Sequence, residues 1–493
     1  MASGRGAYPN AIRRKTVNRV YRLMTSARLP RSLKIFHGLG SVAYGIKDNG
    51  FSVFLLIFYN QVMGLDAGLV GAVIMVALIF DAFADPIIGE LSDRTQSKWG
   101  RRLPWLYLAA IPLGILWMLL WHPPEMSDNM LIVWLFCTAV LVRTFVSMCE
   151  VPSIALVPEL TSDYDERTRL MRYRFLFGWA GGLLVLILAY GVFFAGPKGV
   201  TDVDGYDAYS LCGALMIVGA VLLSALGQHK HVAKQSPPPP PNLGLKHALL
   251  EMRATLSNRA FLWLVSAALF GLINQGITFA LTNYLLGFLW QLATLEMLSY
   301  ALILFASMIV AFLIVPPVSA KLGKKHAAIL FAIFALGINT ALYVCWLLDM
   351  VPGAPADPYA PFMFGFVIFS NSASIAMMIL TSSMMADVVE ASQTETGRRS
   401  EGLFFAGYFF MQKCAVGIGT LIAGMILTFA DFPSDAVAGR VAPEILDRLA
   451  LYNMSALLVI GITGILVLRH FPISRESHNE RLRVLNEAAK SAS

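Results

Sequence analysis

LVGAVIMVALIFDAFADPIIGELSDRTQSKWGRR, residues 69–102, sets the reading of the whole chain. It opens on an apolar run long enough to cross about 30 Å of hydrocarbon as a helix. A helix is required there, because lipid offers no partner to exposed backbone N–H and C=O groups. Inside the run sit two carboxylates, Asp81 and Asp85, and the run ends in a loop with Arg94, Lys98, Arg101 and Arg102.

With this span taken as 68–91, eleven more of the same kind follow: 38–62, 103–121, 130–158, 172–195, 207–227, 261–288, 296–320, 327–348, 359–385, 402–430 and 450–470. The expectation is an all-α membrane protein of twelve transmembrane helices. Composition agrees: of 493 residues 57% are hydrophobic and 14% charged, with mean hydropathy +0.64. Soluble domains sit near 45–50% apolar and about 25% charged. A soluble enzyme, a disordered chain and a disulfide-stapled module are therefore excluded. The five cysteines lie in apolar stretches without metal-ligand or CxxC spacing, and read as packing residues.

Lys and Arg give the orientation. With the N-terminus inside, 32 of the 38 fall in the interior segments 1–34, 92–102, 159–174, 228–260, 321–325, 386–401 and 469–493. Lys198, Arg440 and Arg448 lie in outer loops, and Lys47, Arg143 and Lys413 within spans. The positive-inside rule then predicts both termini cytoplasmic. The net charge of +7 is explained by topology and anionic headgroups, so no nucleic-acid partner is expected.

Five prolines at 237–241 divide six spans from six, and Gly100-Arg101-Arg102 after span two is echoed by Gly323-Lys324-Lys325 after span eight. The predicted organisation is a basic arm (1–34), a six-helix half (35–227), a Pro-rich interior loop (228–260), a second six-helix half (261–470) and a tail (471–493). Two such halves describe the major facilitator architecture, with its site at the midplane between them.

An ionisable group near the bilayer centre costs at least about 2.5–3.5 kcal/mol, so each is a functional candidate. The set is Lys47, Asp48, Asp81, Asp85, Arg143, Glu150, Arg174 and Lys413. Asp81 and Asp85, one turn apart, repel unless a cation or proton lies between them. With Glu150 and the Ser147 hydroxyl they form an oxygen set suited to sodium or a proton. The competing reading is structural pairing with Lys413, Lys47 or Arg143, and for Arg143 a pair with Glu150 seven residues on. Lys47, Asp48 and Arg174 suit hydrogen bonding to a polyol, with structural pairing again the alternative. Asp93, Arg94, Arg101 and Arg102 are expected to form gate ion pairs between helix ends.

These residues, taken together, resemble the glycoside–pentoside–hexuronide:cation symporters, the melibiose permease group. The resemblance is carried by Asp81-Ala-Phe-Ala-Asp85-Pro86-Ile-Ile-Gly89, Lys98-Trp99-Gly100-Arg101-Arg102-Leu-Pro104-Trp105, Lys47-Asp48, Glu150-Val-Pro152, Glu166-Arg167, Arg174, Met385-Ala-Asp387-Val388 and Gln412-Lys413. It implies symport of a sugar or sugar acid, with no cofactor beyond a coupling sodium ion or proton, by a monomer in a bacterial inner membrane. It also implies that Asp81, Asp85, Glu150 and Ser147 hold the cation, Asp81 and Asp85 being the sodium ligands. Lys413 and Arg143 would balance charge, and Lys47, Asp48, Glu150, Ile154, Arg174 and Lys413 would meet the solute. The chain departs from the melibiose permease at Glu150 (Asp there), Ile154 (Trp there) and Ala84 (Asn there). A related vertebrate branch that moves lysophosphatidylcholine shares Glu at the first of these positions, which leaves an amphiphile as the alternative solute. A receptor that kept the fold without transporting is the third reading.

Overall fold

A computed structural model describes residues 29–161, 163–233, 258–350, 360–396 and 401–472. The first 28 residues, the prolines at 237–241, the arginines at 398 and 399 and the tail from 473 lie outside the described residues.

Twelve long helical elements follow in order. α1 (31–62) is composite: it runs through Arg31–Leu39 and Ser41–Asn49, then through π turns at Gly50–Phe54 and Phe58–Val62. Next come α2 (Ala67–Arg94), α3 (Leu103–Trp121), α4 (Asp128–Leu160), α5 (Tyr164–Leu188, extended by a π turn at Ala189–Phe193) and α6 (Val203–Val232). The second half holds α7 (Arg259–Tyr284, extended by a π turn at Leu285–Leu289), α8 (Thr294–Leu322), α9 (Lys324–Leu347), α10 (Ala360–Thr396), α11 (Glu401–Phe429) and α12 (Pro443–Leu468). Among the described residues there is no strand. All but α1 are long and apolar enough, as continuous helices, to cross a membrane.

The first helix begins at Arg31, seven residues before its predicted start. Its opening turns escape hydropathy because they carry Lys34, buried in an ion pair with Glu166 at 2.7 Å, and His37, bonded through Nδ1 to Gln228 at 2.8 Å.

Within lipid, apolar side chains gain little by leaving one apolar solvent for another, so close backbone approach takes over as the packing term. A Cβ on Gly45 of α1 would lie 2.1 Å from the Gly178 carbonyl oxygen of α5. The matching pair in the second half is Gly276 of α7, whose Cβ would meet Val416 O of α11 at 2.7 Å. Bulk is used elsewhere: Phe54, Phe58, Trp117, Trp121, Tyr190, Phe194, Tyr206 and Tyr209 fill the first half away from its basic loops, with Trp121 stacked on Tyr206 at 5.5 Å.

The halves meet most extensively where α2 lies along α11. At the end away from the basic loops, neutral hydrogen bonds join them. Gln61 donates to Pro433 O (2.8 Å) and accepts from Ala436 N (3.1 Å), while Thr428 accepts from Gly68 N (3.2 Å). Tyr284 donates to Asn60 (2.8 Å), and Asn283 donates to Val53 O (2.9 Å) while accepting from Tyr190 (2.8 Å).

Gly45→Ala is expected to lower stability by about 1–3 kcal/mol, because α1 and α5 must separate to admit the methyl group. Gly337→Ala, where a Cβ meets nothing within 4 Å, is expected to lose none. Thermal unfolding of the two purified variants side by side checks both.

Candidate functional site

α2 turns Asp81 and Asp85 toward α4 and α11. Arg143 of α4 grips Asp81 Oδ2 through Nε (2.7 Å) and Nη2 (2.6 Å). One turn along α4, Ser147 Oγ lies 2.8 Å from Asp81 Oδ1 and 2.6 Å from Asp85 Oδ1, with one hydroxyl proton between two acceptors. From the other half, Lys413 Nζ reaches Asp81 Oδ2 (2.8 Å) and Asp85 Oδ2 (2.6 Å). Two carboxylates thus face two cations and one hydroxyl. Asp81, only 2% exposed, is sealed by its partners, and Asp85 is the wetter edge. Behind the guanidinium, the Phe51 ring lies 5.2 Å from Arg143 Cζ, a cation–π contact that no sequence spacing signals.

The second cluster borders the first. Lys47 is buried and pairs with Asp48 at 2.5 Å, whereas the Asp48 carboxylate is 65% exposed. A carboxylate so exposed halfway along a membrane helix lines a space open to water, since lipid would not tolerate it. Arg174 is buried, donates through Nη1 to Ser153 Oγ (2.6 Å) and lies over the Tyr44 ring at 5.6 Å. Ile154, one turn from Glu150 on α4, is 41% exposed.

Glu150 lies three residues beyond Ser147 on α4. It forms no hydrogen bond or ion pair among the described residues, and no three of His, Cys, Asp or Glu come together there as metal ligands. Asp81, Asp85 and Ser147 are the oxygen groups in direct contact with one another. Arg143 pairs with Asp81 rather than Glu150. Seven residues along a helix is about 10.5 Å, farther than a neighbouring helix.

At the end carrying the basic loops, Arg101 Nε and Arg102 Nε both donate to Glu159 Oε1, at 2.9 and 3.0 Å. Arg102 also donates to Ser92 Oγ at 2.5 Å and to Asp93. These contacts tie the ends of α2 and α4 to the start of α3. Arg94 instead meets Glu90 on its own helix, an exposed pair one turn apart. Lys324 at the start of α9 meets Asp387 of α10 at 2.6 Å, the second-half counterpart of the Arg101–Glu159 contact. Sequence reading missed Glu159 as acceptor because a Glu at a helix end reads as surface.

Residues 36–475 match the family described as MFS/sugar transport protein. The chain belongs to that family. The "Glucuronide carrier protein homolog" of Escherichia coli is 26% identical, over 83% of this chain and 85% of that protein. The "Sodium-dependent lysophosphatidylcholine symporter 1-B" of Danio rerio is 25% identical, over 94% of this chain and 91% of that one. The xylose transporter XylE of Escherichia coli, in its inward-open conformation, superposes with a TM-score of 0.60 at 16% identity, covering 92% of this chain and 99% of that one. The fold is thus the twelve-helix major facilitator fold. This member of the MFS/sugar transport family is a many-span membrane transporter, not an enzyme, and the two relatives are named a carrier and a symporter.

In this family member Arg143→Ala leaves buried Asp81 with Lys413 and the Ser147 hydroxyl. The expected loss is on the order of 3 kcal/mol, and Asp81→Asn in the same chain is expected to recover most of it. A double-mutant cycle read by thermal unfolding measures the coupling.

Proposed function

We propose that this chain is a cation-coupled symporter of a sugar-like solute, most suitably a sugar acid, in a bacterial inner membrane with both termini cytoplasmic. The observation that carries the reading is Lys413 Nζ bridging Asp81 and Asp85 from the opposite half. A sodium ion or proton arriving at these carboxylates with Ser147 competes directly with that ammonium. Lys413 then moves aside, and a tie between the halves becomes conditional on the cation.

The charges support the choice of solute. Asp48, Asp81, Asp85 and Glu150 balance Lys47, Arg143, Arg174 and Lys413, so the eight groups sum to zero before a cation binds. A bound monovalent cation leaves one excess positive charge and a displaced ammonium, which a solute carboxylate neutralises. Asp48 and Arg174, with Lys47 beside them, offer hydrogen bonds to hydroxyls, Ile154 an apolar wall, and Glu150 lies between the two clusters. Because both ligands act on one set of charges, each raises the affinity of the other.

The test is thermal unfolding and proteoliposome uptake with uronides, neutral glycosides and lysolipids, in sodium, in choline and across a pH step. A ligand at 100 times its Kd stabilises by about 2.7 kcal/mol. The expected result is stabilisation by a uronide, larger with the coupling cation and abolished by Asp85→Asn. Uptake that ignores the cation gradient sinks coupling. A response to lysolipid alone transfers the chain to the amphiphile reading, which its likeness to the lysophosphatidylcholine symporter favours.

The gate assignment has its own test. Arg101→Ala removes a contact between helix ends without touching either cluster, so turnover is expected to fall more than tenfold with little change in the half-saturating solute concentration. Unchanged turnover would return Arg101 to a purely topological role.

A further inference from the structure

We propose that the groove between α9 and α12 is a site for an anionic phospholipid, with one acyl chain in the groove and the headgroup at its basic end. The groove, about 600 Å³, is lined by Ile333, Gly337 and Val344 of α9 and by Leu458, Ile462 and Leu466 of α12. Thr340 is the one polar side chain in the lining. That volume lies in the range of small-molecule clefts, about 300–1,000 Å³, but the convergent polar groups that hold a polar solute are missing from it. Hydrocarbon suits it. From Ile333 to Val344 the α9 wall is about 16 Å long, close to half of a roughly 30 Å hydrocarbon layer. One acyl chain of one leaflet spans that length.

Gly337 faces this space: a Cβ there would meet nothing within 4 Å. Ile333, Ile462 and Leu466 are exposed on the outer surface of the bundle, so the groove opens sideways to lipid.

Charge decides which way the lipid points. Arg469 follows Ile465 and Leu466 by four and three residues, and His326 precedes Ile333 by seven, so both project on the groove's face at the same end. The two helix ends are tied there by Lys325, whose Nζ donates to Phe471 O at 2.7 Å. Arg469 and His326 are exposed, and neither side chain has a hydrogen bond or ion pair among the described residues. Lys324 is nearby but engaged with Asp387. The far end carries Asp349, Glu444 and Asp447, and its Arg448 is engaged with Asp431. An anionic headgroup is therefore drawn to the Arg469 end and repelled from the other, and a basic pocket between helix ends is the chemistry that holds it.

Native mass spectrometry of the full chain, stripped of lipid and titrated with phosphatidylglycerol or with phosphatidylethanolamine of the same acyl chains, tests this. The expected result is one tightly retained phosphatidylglycerol, at least fivefold preferred. Arg469→Gln should weaken its retention about fivefold, the effect of one basic residue near a membrane surface. Gly337→Leu, which fills the groove, should weaken both lipids. Equal retention of the two lipids by the unaltered chain overturns the proposal, and so does retention unmoved by both variants. A second copy of the chain seated in the groove, seen as a dimer that Gly337→Leu dissociates, also overturns it. Arg469 lies on the surface, so that arm stands even where Gly337→Leu fails to fold.

Discussion

Everything near the midplane follows from the cost of keeping Asp81 and Asp85 charged in a bundle surrounded by lipid. Each carboxylate costs at least about 2.5–3.5 kcal/mol to place there, and two at one-turn spacing repel each other as well. The chain meets the cost from two directions. Arg143 approaches along α4 within the same half, and Lys413 approaches along α11 from the other. The first contact is local to one rigid unit. The second crosses the one surface that alternating access has to loosen, so an electrostatic requirement of helix α2 is met by the relative position of the two halves.

The two ends of the bundle hold together by different means. At the end away from the basic loops the bonds across the halves are neutral, made by Gln61, Thr428, Tyr284 and Asn283. One uses a backbone carbonyl, Val53 O, inside the π turn at Gly50–Phe54, and Asn283 and Tyr190 border or sit in two further π turns. Such turns shift the hydrogen-bond ladder and mark functional positions in helices. At the basic end the described ion pairs, Arg101 and Arg102 with Glu159 and Lys324 with Asp387, stay within a half. Neutral bonds can be exchanged for water at modest cost, whereas the ion pairs stiffen each half as a unit. The bundle is thus closed at one end by replaceable bonds.

Much of this was legible in the sequence because hydropathy and charge are additive along a chain. Eleven continuous spans, the in-membrane ionisable set and the echo between the two short basic loops all need only residue types and spacing. Three things did not follow. The start of α1 was hidden because Lys34 and His37 are polar residues buried by partners from α5 and α6, which hydropathy counts as solvent-facing. The Asp81–Arg143 pair depends on the rotation of α4 against α2, which spacing within α4 does not encode. The neutral latch was invisible because Asn283, Gln61 and Tyr190 are single uncharged residues in apolar runs, and their value lies wholly in which carbonyl or hydroxyl faces them.

The same geometry explains why one lysine can serve both ligands in the proposed cycle. Lys413 contacts oxygens of two carboxylates at once, so a cation at that position removes two contacts in one event. The released ammonium stays on α11, and its charge has to be met again inside a medium that screens poorly. A solute carboxylate meets it with the halves in one arrangement, and Asp81 and Asp85 meet it with both sites empty. The half-loaded state, cation bound and ammonium unpaired, is left with the uncompensated charge. Coupling then needs no signal relayed through the fold. It follows from one half-buried positive charge having two acceptable partners.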